Sequence, residues 1–249
     1  MCHTQCMESA EYALMDEVEE SMWWYRALHA RIGKTLDGAR GRVLDAGCGT
    51  GGLLARLRGR PGIELYGLEY AAEAARRAAV KSDATIVRGS INALPFSDGS
   101  FAAVVSADVL CHGAVDPTSA LAELRRVLAP GGLLVLNMPS YQWLMSVHDR
   151  KVHNVRRTTA GNLCRDLTAA GFKQVQSQYW NTLLLPLMIL QRKVLARRND
   201  GETMSDVAVF PPIIDAIFHA LTELERYLGL KLPAGGSILA TARKPAAES

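Results

Sequence analysis

The sequence predicts an α/β fold, and three observations carry that prediction. Residues 42–52, RVLDAGCGTGG, read as the end of a buried strand at Val43 and Leu44, a closing Asp45, and a glycine turn that opens a helix at Leu53. Further short apolar runs follow, separated by stretches of helical period, as in strand–helix–strand units. The run 101–106 is apolar almost throughout, as a strand buried on both faces requires.

The bulk properties narrow the function classes. The chain has 249 residues, enough for one large domain or a domain with appendages. Apolar residues at 49% and charged residues at 21% are ordinary for a soluble globular protein. A formal net charge of +3 gives no global case for a nucleic-acid binder. Residues 1–20 are acidic and lack a continuous apolar segment, so no secretory signal is expected. No run of about 18 apolar residues occurs, so no transmembrane helix is expected. The five cysteines, Cys2, Cys6, Cys48, Cys111 and Cys164, are odd in number and scattered. That pattern suggests free thiols in a reducing compartment, hence the cytoplasm. Cys2, His3 and Cys6 admit a metal-cluster reading, but no partner pair is near in sequence, and no metal is expected.

The glycine turn sets the chemistry. Gly47, Gly49 and Gly52 satisfy G-x-G-x-x-G, a pattern that in isolation also fits a dinucleotide. Asp45 argues against a pyrophosphate there, because like charges repel. A ligand with an ammonium and a carboxylate but no phosphate suits the site better. Asp45 and the loop backbone take the ammonium, and the loop N–H groups take the carboxylate, with the free N–H groups and partial positive charge of the helix start behind them. VLDAGCGTG at 43–51 resembles the first motif of class I methyltransferases that use S-adenosyl-L-methionine. Similar to that family too are WWYR at 23–26, LPFSDGSF at 94–101, LAPGGLL at 128–134 and Gly171-Phe172. The resemblance spans roughly residues 20–181, and the final strand rejoins it. It implies a doubly wound, seven-stranded, mostly parallel sheet with an antiparallel last strand and helices on both faces. It also implies S-adenosyl-L-methionine as cofactor, with Gly47, Cys48, Gly49 and Ala107 lining its site.

Each element follows in order. Tyr12, Met15, Val18 and Met22 recur at helical spacing, which predicts a helix over 8–36. Trp23, Trp24 and Tyr25 point in three directions from it. The reading is a lid, with Tyr25 lining the cofactor pocket and the Arg26 guanidinium paired to the methionine carboxylate. Residues 53–58 are helix, and 63–68 are a strand ending at Glu69. An acid about 20 positions past the loop is where a ribose-binding carboxylate belongs. Tyr70 is a candidate to stack on adenine. Residues 71–80 are helix and 85–88 a strand. Family members usually place an acid at the Ser90 position, facing the adenine amino group; here a hydroxyl stands there, with Ile91 against the adenine face. Strand 101–106 is followed by a helix from Asp116 to Leu128, a turn at 129–132 and a strand at 133–137. Thr158 or Thr159 caps a helix ending at Ala170, and 172–179 are a strand. Residues 182–231 carry more apolar surface than a hairpin connection needs, with Ile213, Ile217, Phe218, Leu221, Leu224 and Leu228 at helical spacing. The parts are therefore a helical lid at 1–40, the cofactor-binding core at 41–181, a helical insert at 182–235, and a last strand and tail at 236–249. The insert packs on the domain or covers the substrate; a membrane-surface helix with a basic end is the alternative.

Transfer of a methyl from a sulfonium needs a nucleophile held in line and water kept out. The candidate general bases are rim histidines, His148 first and His112 second, with Asp149 orienting a histidine. HDRKVH at 148–153 also has spacing that a metal site could use, but further acidic ligands are missing. The apolar insert beside this rim points to a small hydrophobic acceptor such as a natural product, quinone or lipid-like compound. A dinucleotide-dependent oxidoreductase and a nucleic-acid-binding module are the other readings. Asp45 counts against the first. Against the second counts the lack of aromatics among the charges of 150–157 and 192–198.

Overall fold

The computed structural model describes residues 9–192, 210–229 and 232–246, with only the backbone at 9–11 and 148. Seven strands form one sheet: β1 (Gly41–Ala46), β2 (Ile63–Glu69), β3 (Thr85–Arg88), β4 (Phe101–Ala107), β5 (Leu128–Pro139), β6 (Lys173–Trp180) and β7 (Ser237–Arg243). Their order is β3-β2-β1-β4-β5-β7-β6. β1 to β5 pair in parallel, and β7 runs antiparallel to both β5 and β6. The strand order reverses between β1 and β4. That is the switch point at whose carboxyl end open α/β sheets bind ligands.

Alternation along the central strands separates two cores. Leu44, Val104, Leu134 and Leu136 face one side, with Leu124 of α5 (Pro117–Val127) and Leu163 and Leu167 of α7 (Ala160–Ala169). Val43, Ala103, Val105 and Val135 face the other, with Leu28 and Ile32 of α2 (Trp23–Thr35) and Leu57 of α3 (Gly52–Leu57). Asp116 and Thr159 cap α5 and α7 with their side-chain oxygens.

Three elements differ from expectation. The predicted helix 8–36 is two helices, α1 (Ser9–Val18) and α2, broken at 19–22. Each half has its own partner. Asp16 on α1 pairs with Arg77 and Lys81 on α4 (Ala72–Ser82), and α2 packs on the sheet. The expected turn at 129–132 lies inside β5. It loops out between the pairs Phe101–Leu128 and Ala103–Leu133, with Gly131 at φ +75°. The insert contributes α8 (Leu185–Leu190) and α9 (Pro212–Leu228), and α9 sits with its polar side inward. Asp215, Thr222 and Glu225 are turned to α2 and the loop before α8, while Ile213, Ile217, Leu224 and Leu228 are exposed. Only Phe218 and Leu221 of the expected apolar set join a core cluster. The reason is the surface α9 meets, where α2 presents Arg26 and Arg31.

Arg31 ties this contact together. It donates to the Thr222 carbonyl at 2.5 Å, lies 3.8 Å from Glu223 and 3.9 Å from Glu225, and stacks 4.7 Å over Trp180. Arg31→Ala strands the buried Glu225 carboxylate and is expected to cost about 3 kcal/mol. Urea denaturation reads that loss, and an unchanged midpoint would show that α9 holds without the charge.

Candidate functional site

A pocket of about 970 Å³ opens at the carboxyl end of the sheet. Its walls bring together Asp45, Gly47, Cys48, Gly49, Glu69, Tyr70, Ser90, Ile91 and Ala107 from the strand ends and the loops after them, and Tyr25 from α2. Nine loop and strand-end positions scattered over 63 residues thus share one cavity with the lid tyrosine. Two loop glycines meet a steric demand. Gly47 has φ +95° and would place a Cβ 2.3 Å from Val109, and Gly49 has φ +53° and would place one 2.7 Å from Met15.

The electrostatics of this end are set by buried acids. Glu69 accepts from the Gly49 N–H at 3.0 Å and the Ala71 N–H at 2.8 Å, and burial still raises its pKa. Asp45 is buried, and burial together with Glu69 and Glu19 pushes its pKa up to about 7. A positively charged ligand relieves that repulsion and an anionic one worsens it. The residues therefore fit the cation of S-adenosyl-L-methionine at Asp45 and the hydroxyls of its ribose at Glu69.

Several expected contacts are corrected. Arg26 does not line the pocket; its guanidinium pairs with Asp215 of α9 at 2.7 Å. The N–H groups at the start of α3 do not wait for a ligand. Glu19 covers them, accepting from the Gly52 N–H, from Thr50 at 2.6 Å and from Lys81 at 2.5 Å. Ser90 and Tyr70, by contrast, both line the pocket; the Ser90 hydroxyl accepts from the Asn92 N–H at 3.2 Å and keeps its own proton to donate, and Tyr70 stands exposed at the rim. Asp149 lines the pocket, and among the described side chains it bonds no histidine. Arg157 takes both its oxygens at 2.9 Å, Ser146 adds two more contacts, and the arginine's charge holds its pKa down against burial.

The histidines divide. His112 lines the pocket and its Nδ1 lies 3.0 Å from the Val152 carbonyl. A carbonyl only accepts, so Nδ1 carries the proton and Nε2 the lone pair. Burial lowers the His112 pKa, which keeps the ring neutral. His153 lines the same wall at φ +57°. His148 belongs to α6 (Val147–Lys151), but its side chain lies outside what is described, as do Cys2, His3 and Cys6.

Four polar residues of the pocket went unnoticed in the sequence: the buried Glu19, His29 and Asn181 and the half-buried Asp108. Burial, with Arg56 and Lys81 nearby, lowers His29 to about 4. Asp108 follows β4 at φ +54°, and Asn181 follows β6 at φ +59°. No periodicity marks the four; for Asp108 alone there is a local signal, an acid directly after an apolar strand.

Against this geometry the likenesses to known proteins can be weighed. A family model described as a methyltransferase domain matches residues 44–136. The chain is 42% identical over 124 residues to demethylmenaquinone methyltransferase of Thermus thermophilus, covering 47% of this chain and 54% of that one. It is 33% identical over 134 residues to 24-methylenesterol C-methyltransferase 2 of Oryza sativa, covering 48% and 36%. The chain thus spans between about a third and about half the length of these relatives. The structure of Haemonchus contortus phosphoethanolamine N-methyltransferase 2 in complex with S-adenosyl-L-methionine shares the fold. Its TM-score is 0.59 at 15% identity, over 88% of this chain and 52% of that one. The doubly wound sheet with its antiparallel β7 is as the sequence implied.

The acid cluster predicts a pH dependence. Below pH 7 Asp45 is protonated in the free protein, and a bound cation must displace that proton. Affinity for S-adenosyl-L-methionine is therefore expected to rise from pH 5.5 to 7, by at most about tenfold per unit. Asp45→Asn should flatten the profile in calorimetry; a wild-type profile already flat would place the cation elsewhere. Glu69→Ala is expected to weaken binding by about 1.5–3 kcal/mol, and unchanged affinity would remove Glu69 from the site.

Proposed function

We propose that the protein transfers the methyl group of S-adenosyl-L-methionine to a small hydrophobic acceptor. The observation that carries this is the buried, mutually repelling pair Asp45 and Glu69 beside the glycine turn. It asks for a cation bearing hydroxyls and disfavours the pyrophosphate of a dinucleotide. When bound, the cofactor supplies a methyl already activated by its sulfonium.

The chain's own residues do the remaining work. Asp45 holds the ammonium and Glu69 the ribose hydroxyls. Tyr70, Ser90 and Ile91 border the adenine, and Cys48, Ala107 and Tyr25 close the walls. Residues 1–40 act as the lid and 182–235 as the acceptor cover. Support for the cover comes from Leu184, Leu187 and Met188 before and on α8, with Phe210 and Phe218, all of which line the pocket. Apolar walls with a few polar groups suit a small molecule. The relatives named for menaquinone and sterol substrates agree with that class. Nucleic acid is disfavoured because arginines of the basic stretch are spent internally. Arg156 donates to the carbonyls of His112 and Val115, and Arg157 binds Asp149. Among the described residues no helix is long and apolar enough to cross a membrane. The free thiols of Cys48, Cys111 and Cys164 support a reducing, cytoplasmic setting. His112, with its lone pair on Nε2, remains a base in reach of the pocket, and His148 a second on its backbone position alone.

Calorimetry separates the readings. S-adenosyl-L-methionine is expected to bind with micromolar affinity, on the order of 8 kcal/mol, while NADH and a single-stranded oligonucleotide give no heat. Binding of NADH in preference would overturn the methyl-transfer reading.

A further inference from the structure

The residues assigned to the cofactor leave a polar network on the same pocket unaccounted for. Asp108 directly follows β4, half-buried and in the left-handed conformation, and lines the cavity. Its carboxylate takes Nδ2 of Asn137, at 3.0 Å from each oxygen. The orientation of that amide is not arbitrary. Oδ1 of Asn137 accepts from Trp180 Nε1 at 2.9 Å, and an indole nitrogen can only donate, so Nδ2 must point to Asp108. One neutral amide is a meagre partner for a half-buried carboxylate with about four lone-pair sites. The nearby cation does not make up the difference: Arg157 spends its guanidinium on Asp149 and the Ser140 carbonyl. A second acceptor waits on the same cavity. Oδ1 of Asn181 is buried without a hydrogen-bond partner among the described residues. The same cavity is also lined by Val155, Leu184, Leu187, Met188 and Phe218.

A pocket of this kind calls for an apolar molecule that brings hydrogen-bond donors. We propose that Asp108 is the catalytic base, holding and deprotonating the hydroxyl of a phenol-type acceptor, with the Asn181 amide as a second anchor for its polar end. The proposal rests on the methyl-transfer reading and names its acceptor. A hydroxyl fits better than an ammonium, because a carboxylate paired with an ammonium keeps the proton on the nucleophile. In the step, the acceptor O–H bond breaks and its proton passes to Asp108. An oxygen lone pair forms the bond to the methyl carbon, and the carbon–sulfur pair stays on sulfur, which leaves as a neutral thioether. Asp108 ends protonated and returns the proton to solvent. Burial pushes the Asp108 pKa up to about 6, against Asn137 and Arg157. That places it near the working pH, as an effective base requires.

The test uses the full chain loaded with S-adenosylhomocysteine and titrated with 4-hexylphenol and hexylbenzene. The phenol is expected to bind at least about tenfold tighter than the hydrocarbon, the scale of one hydrogen bond to a charged group. That preference should fall as pH drops through 6. Arg157 and Asp149 are the charged groups facing Asp108, burial disfavours the charged form of His112, and the variants below separate a fall that reports Asp108 from one that reports a histidine. Asp108→Asn keeps the shape and the Asn137 contact. It should leave the S-adenosylhomocysteine affinity intact, remove the pH dependence, and slow labelled methyl transfer to the phenol by about a hundredfold or more. Asn181→Ala should weaken phenol binding alone. Equal binding of phenol and hydrocarbon, a pH dependence that survives in Asp108→Asn, or equal transfer rates would overturn the proposal. So would a dependence abolished by His112→Gln and not by Asp108→Asn. A wild-type chain that fails to bind S-adenosylhomocysteine would instead overturn the methyl-transfer reading beneath it.

Discussion

Carboxylate crowding at the glycine turn is the constraint on which the rest of the site depends. Asp45, Glu69 and Glu19 all line one cavity, and burial raises the pKa of each. Glu69 is compensated by two backbone N–H groups, and Glu19 by Lys81, Thr50 and Gly52. Asp45 has no hydrogen-bonding partner among the described residues, so its cost is met by a proton or by a cationic ligand. The parallel sheet makes this arrangement unavoidable. β1 and β2 end side by side, with Ala46 opposite Leu68, and their terminal acids therefore face the same opening.

The same acids organise the N-terminal segment. Asp16 and Glu19 reach Arg77 and Lys81 on α4, which lays α1 across the turn and sets Met15 over Gly49. The chain must then break at 19–22 before α2 can pack on the sheet. α2 in turn offers Arg26 and Arg31 to α9, and this decides which way α9 faces. A helix with a clear apolar stripe turns its acids inward, because guanidinium groups already hold the surface it meets.

The strand positions, the glycine turn and the spacing from Asp45 to Glu69 were legible in the sequence, since each is a local pattern with a short-range physical cause. The misreadings concern partners. Arg26 finds Asp215 at a separation of 189 residues, and among the described side chains Asp149 finds Arg157 rather than a histidine. A side chain's chemistry announces what it can bind, not which of several eligible groups the fold delivers. Periodicity likewise showed that the 213–228 helix has two faces and could not say which one meets the protein. Asp108 was hidden for a different reason. Its significance lies in a positive φ and in the amide of Asn137, 29 residues on, and neither leaves a trace in spacing.

The two ends of the pocket handle buried charge differently, and the difference matches the chemistry of group transfer from a cation to a neutral molecule. Beside the turn, acids are left uncompensated, so the site binds positive charge. Towards α6 and α8, Asp149 is neutralised by Arg157 and the walls become apolar, so the site admits a molecule without charge. Asp108 stands between these regimes, half-compensated by an amide whose own orientation is set by Trp180. Low dielectric strengthens each of these interactions. The burial that raises Asp45 and Asp108 into the neutral range also keeps out the water that would compete as an acceptor, so proton affinity and water exclusion have one structural origin.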